Sequence, residues 1–147
     1  MMSVKSVAQT ITASPGWSIA IPASSITEAG SNYTTNATST ANQTLISVTS
    51  SFLASYTVTV HRDNTNWNSA LTLWVQRTGN GSGSFFGTIA GGLSFQQVGT
   101  AAQTFFSGII GFPTNRSNIP IQYQISGLSV LIPVKTYTTT ITYTVSN

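Results

Sequence analysis

At 147 residues, the chain has the length of one domain, enough to bury roughly 70% of its unfolded surface around a single core. Only 5% of the residues are charged and the net charge is +3, whereas an average domain is about 25% charged. The five cations, Lys5, Arg62, Arg77, Arg116 and Lys135, are scattered along the sequence, which argues against the clustered phosphate contacts of a nucleic-acid binder. Cysteine is absent, which removes disulfides and thiolate metal sites, and no run approaches the roughly 18 apolar residues of a membrane span.

Ser and Thr make up nearly a third of the chain and aromatics 10%. That composition is unlike a disordered chain, which is charged and poor in β-branched and aromatic residues. It predicts a folded β protein. Met1 to Lys5 carry no hydrophobic stretch of a signal-peptide kind. Val4 to Ala13 is extended in character, and Val7, Ile11 and Ala13 share a side with Lys5 and Gln9. Residues 1–13 are therefore treated as an extended N-terminal segment and 14–147 as the domain. Pro15-Gly16 is a turn, after which Trp17, Ile19 and Ile21 alternate as a strand ending at Pro22.

Ala23 to Gln43 is a long Ser/Thr/Asn loop, with a short strand expected near Tyr33. It holds N-x-S/T sequons at Asn32, Asn36 and Asn42, with two more at Asn80 and Asn115, which are acceptors for N-glycosylation. Leu45–Thr49, Tyr56–Val60 and Ala70–Gln76 alternate as strands. In the third, Leu71, Leu73 and Val75 face inward, and Trp74 lies with Thr72 and Gln76 on the polar face.

Thr78 to Ser84 is glycine-rich without a following helix or a Lys-Ser/Thr pair, so it reads as a hairpin tip rather than a phosphate loop. Phe85-Phe86, Leu93–Val98 and Thr104–Ile110 are apolar segments, and Ala101–Phe106 has the spacing of one helical turn. Ile119, Ile121, Tyr123 and Ile125 alternate up to Gly127. Pro133 puts a bend or an edge in Leu128–Val134. Thr136 to Val145 is the longest alternation: Tyr137, Thr139, Ile141, Tyr143 and Val145 share one face, and Thr and Ser fill the other. Eight to ten short strands without a substantial helix predict an all-β antiparallel sandwich, Ig-like or jelly-roll.

The chemistry-bearing inventory is small. His61 and Asp63 are two residues apart, but nothing resembles a nucleophile elbow, and Glu28 with Asp63 would have to meet across a cleft to act as a glycosidase pair. Asp63 to Asn68 offers oxygen ligands with a single carboxylate, below what calcium loops use. The expectation is a non-enzymatic protein with no catalytic residue, cofactor or metal. The remaining ligand reading is a glycan platform of Trp67, Trp74 and Gln76.

The closing segment Ile132-Pro133-Val134-Lys135-Thr136-Tyr137-Thr138-Thr139-Thr140-Ile141-Thr142-Tyr143-Thr144-Val145 resembles the last strand of secreted prokaryotic β-sandwich subunits, the spore-coat-U-like and chaperone–usher pilin-like proteins. Trp17 to Pro22 fits the same group. The disulfide frequent in those pilins is missing here. The resemblance implies assembly by donor-strand complementation, in which an extended segment of one subunit, here Met1–Ala13 as the candidate donor strand, completes the next subunit's sheet. It also suits the composition, because a chain with little charge has little to protect its strand edges.

The reading is therefore a structural subunit of an extracellular filament or cell-surface layer, with identical subunits as partners. Its interface would comprise Val4, Val7, Ile11, Ala13, Tyr137, Ile141, Tyr143 and Val145. Alternatives are a carbohydrate-binding or adhesive module that recognises surface glycans, and a virion or phage surface protein.

Overall fold

A computed structural model describes residues 8–22, 24, 32–33, 35–83 and 85–147. Val4, Val7 and Glu28 of the sequence reading lie outside these residues. Ten strands form two antiparallel sheets, and no α-helix is present among the described residues. The strands are β1 (Thr10–Ser14), β2 (Ala37–Thr38), β3 (Thr44–Thr49), β4 (Ser55–Arg62), β5 (Thr72–Arg77), β6 (Thr88–Ala90), β7 (Gln96–Gln97), β8 (Gln103–Ile109), β9 (Asn115–Ser126) and β10 (Ile141–Ser146).

The first sheet runs β1-β3-β9-β5-β7, with β2 also on β9, and the second runs β10-β4-β8-β6. From β3 to β10, successive strands alternate between the sheets, so no two consecutive strands pair. Pairing is nested instead: β3 with β9, β4 with β8 and β5 with β7, folded about β6. An immunoglobulin sandwich keeps consecutive pairs such as A-B and F-G within one sheet. The nesting seen here is a long hairpin rolled into two sheets, the wiring of a jelly roll.

Alternation dictates the core. Ile46 and Val48 of β3, Val58 and Val60 of β4, Leu73 and Val75 of β5, and Ile119 and Ile121 of β9 all face between the sheets and are buried. Phe105 and Phe106 are both buried despite being adjacent, because the register of β8 against β4 shifts between Val58 and Thr59. That bulge turns two neighbouring residues inward and imitates helical spacing, so the turn expected over Ala101–Phe106 is instead the start of β8.

Three further expectations are corrected. Trp17–Ile21 forms no strand. The β1·β3 ladder ends with Ser14 opposite Leu45, so the chain beyond it has no strand to pair with. It is held by side chains instead, with Thr44 Oγ1 donating to the Pro15 carbonyl at 2.6 Å and Gln43 Nε2 to the Gly16 carbonyl at 2.9 Å. The closing strand is shorter than its alternation, since β4 ends at Arg62 opposite Ile141. Among the described residues, the stretch between β9 and Ile141 pairs only at the single bridge Asn66–Thr138, although Tyr137 and Thr139 keep their inward phase and are half-buried. Residues 78–83 are no hairpin tip, because they lead from β5 in one sheet towards β6 in the other; Ser84 lies outside the described residues.

The crossover is secured from inside. Arg77 continues the inward row of β5 and is 2% exposed. Its guanidinium donates to the carbonyls of Gly79 and Gly91 and to Asn80 Oδ1 at 2.6–3.0 Å. Arg116, also buried, donates to the Asn80 carbonyl at 2.8 Å. Carbonyl oxygens thus replace carboxylates as partners of buried cations, in a chain with only two acidic residues.

Candidate functional site

An apolar groove of about 820 Å³ lies at one end of the sandwich. It lies where β3, β5 and β10 begin and β4 and β9 end. Leu71, Leu73, Tyr123 and Ile125 of the first sheet form its floor, with Ile141 and Tyr143 of β10 opposite. Two irregular segments wall it, residues 15–21 and 128–139. Neither supplies a ladder, because both lie beyond the paired parts of the neighbouring strands.

Within the groove, Trp17 stacks on Tyr123 with ring centroids 6.1 Å apart and an interplanar angle of 11°. Trp67 packs against the core and donates its Nε1 to the Leu71 carbonyl at 2.9 Å. The Arg62 guanidinium sits 5.4 Å over the Trp67 ring. The hydroxyls of Tyr123 and Tyr143 are 2.7 Å apart. Burial pushes both phenols above the ordinary value of 10.0, Tyr143 well above it, and for Tyr143 the neighbouring Tyr123 adds to the effect. At the rim an apolar side chain stands in solvent: Val134 is fully exposed. Lys135, the one charged residue lining the groove among the described residues, extends its Nζ over the Tyr137 ring at 5.0 Å.

The residues expected at a subunit interface divide accordingly. Ala13, Tyr137, Ile141 and Tyr143 line the groove. Ile11 and Val145 pack against the core beside it. β1 is an edge strand paired to β3 of the same chain, and only Ile11 among its five residues is half-buried.

The expected glycan platform is not assembled as one surface. Trp67 faces the inter-sheet core and lines the groove, while Trp74 is on the outer face of the first sheet, with Nε1 donating to Ser126 Oγ at 2.8 Å. Alternation separates them, since Trp74 opposes the inward phase of Leu73 and Val75. Gln76 stays with Trp74, its Nε2 donating to Gln122 Oε1 at 2.7 Å. Across that outer face Gln97, Trp74, Gln124 and Thr38 lie in one row, in register over four strands.

The titratable groups do not converge. Asp63 accepts from Thr139 Oγ1 at 3.1 Å and from the Thr140 amide at 3.2 Å, and the Thr140 amide bond leads in holding its carboxyl below the ordinary value of 3.8. Its work is to fasten the approach of β10 to the end of β4. His61, in β4, makes no hydrogen bond to it, and His61 Nδ1 is buried without a partner. Among the described residues no cluster of three metal-binding side chains occurs. Of the sequons, Asn32, Asn36, Asn42 and Asn80 are exposed, and Asn115 is half-buried in β9, where its Nδ2 donates to Ser117 Oγ at 2.7 Å. No protein-family model, curated protein or solved structure matches the chain.

Proposed function

We propose that the chain is a non-enzymatic structural subunit that assembles with identical copies into an extracellular filament or cell-surface layer. The observation that carries this reading is the open apolar groove, whose floor is core-like and whose rim projects Val134 into solvent. An apolar concavity of this size in a chain with 5% charged residues is a surface that gains by being covered. Among the described residues no strand pairs with the outer edges of β1 and β10, and neither strand carries the charged side chains that usually protect an edge. The reading does not require Thr10–Ser14 to leave β3. Jelly rolls of this wiring build viral shells and lectins, so shell assembly and glycan binding both belong to what the architecture can do.

The test uses the rim. Val134 is fully exposed, so Val134→Asp leaves the fold intact and puts a carboxylate at the contact. Sedimentation velocity over a concentration series should show the variant needing about tenfold more protein for half-assembly, the equivalent of about 1.4 kcal/mol. Identical curves for the two proteins would remove the groove from the assembly.

A second reading, glycan binding, is favoured by the Gln97–Trp74–Gln124–Thr38 row on the outer sheet face. A half-exposed indole flanked by amides can stack on a sugar ring while the amides meet its hydroxyls. On this reading, Trp74→Ala abolishes binding on a glycan array without altering the circular dichroism spectrum. Retained binding in that variant would end it.

A further inference from the structure

The groove has a counterpart at the other end of the molecule. There the loops 50–54, 85–87 and 110–114 come together and expose Phe52, Leu53, Phe85, Phe86 and Phe112, with exposures of 48%, 56%, 69%, 70% and 66%. The loops are fastened to one another by backbone bonds. Leu53 donates to the Ile110 carbonyl at 2.8 Å, and Phe85 and Phe112 exchange both their amide–carbonyl bonds at 2.8 Å. The Phe85 and Phe86 rings lie 4.2 Å apart. Leu53 and Phe86 both have left-handed backbone, with φ of 61° and 63°, a conformation that bulky residues rarely adopt unless their surroundings hold them in it. Strain and exposed apolar area thus coincide at one rigid tip, below which Arg77 and Arg116 secure the crossover.

We propose that this tip is the groove's occupant in a second copy of the chain, so that subunits join head to tail. The proposal rests on the self-assembly reading above and names the contact that makes it. Three observations favour a second copy over other partners. The four phenylalanines expose roughly 500 Å² at about 200 Å² per ring-bearing side chain. That is near the upper end for the largest patch of a monomer, and with a rim it approaches the about 800 Å² per partner of a standard interface. The tip loops contain no Lys, Arg, Asp or Glu, and so lack the cations with which a membrane-seeking surface engages lipid headgroups. The described residues of the groove that receives them are equally neutral, apart from Lys135. A convex apolar tip and a concave apolar groove at opposite ends of one chain form a heterologous contact, which propagates as an open filament unless rotation closes it.

Phe112→Asp and Val134→Asp change exposed side chains on the tip and on the groove rim. At the concentration where the wild type first forms long species, about tenfold below the variants' own half-assembly point, each variant alone should stay monomeric. Mixed in equal amounts, they should give a dimer and nothing longer, because one intact tip then meets one intact groove. Polymerisation of Phe112→Asp like the wild type would overturn the tip contact while leaving self-assembly standing. Dimers of Val134→Asp alone would replace it with a tip-to-tip contact, and a mixture that stays monomeric would also refute it. A wild type that is monomeric at every concentration would refute the self-assembly reading and this contact together. Flotation with phosphatidylcholine vesicles that depends on Phe112, without polymerisation, would assign the tip to a lipid surface instead.

Discussion

Two hydroxyls, on Tyr123 and Tyr143, join the two sheets at the groove floor across 2.7 Å. Both phenols resist ionisation because they are buried, so between 10.0 and their raised values the unfolded chain gives up protons that the folded chain keeps. Stability is therefore full below pH 10.0 and falls as pH rises above it. Urea titrations should show this decline in the wild type and a shallower one in Tyr143→Phe, which should already be about 1 kcal/mol less stable at neutral pH. Equal slopes would mean that the pair titrates normally. The inward phase of Tyr143 was legible from period two alone; its partner was not, since contacts between sheets leave no local trace. Arg77 is the opposite case. Leu71, Leu73 and Val75 point to residue 77 as the next inward position, but a cation there reads as the end of a strand. Only the carbonyls of Gly79 and Gly91, brought back by the crossover, make its burial tolerable.

Strands were legible where a pleat has a neighbour on each side. β3, β4, β5 and β9 follow their alternation closely, since core packing fixes which face turns in. Trp17–Ile21 and Thr136–Thr140 alternate equally well without forming ladders, because pairing depends on where the adjacent strand stops. Sequence carries the pattern of a strand but not the length of its partner. β6 shows a tighter constraint. Gly108 of β8 lies opposite Ile89, and a Cβ there would overlap the Thr88 carbonyl and come within 2.7 Å of Tyr56 Oη. Gly108→Ala should cost about 2 kcal/mol, within the range for overpacking, and lower the melting temperature by roughly 6 °C. An unchanged melting temperature would show that β6 can move away freely.

At the scale of the whole molecule, nested wiring places the two ends of the sandwich in contrast. Loops 50–54, 85–87 and 110–114 make a protruding aromatic tip, and the segments 15–21 and 128–139 wall an apolar groove. Composition shows that the strand edges have little charge to protect them, but it could not locate either surface, because both arise from residues far apart in sequence. Trp67 and Trp74 carry the same lesson: seven residues apart, they serve opposite faces of one sheet. Polymerisation of identical copies, as proposed above, is visible directly by electron microscopy of the purified protein at high concentration. Regular filaments or sheets with one-domain repeats are expected; uniform single particles at every concentration would contradict polymerisation.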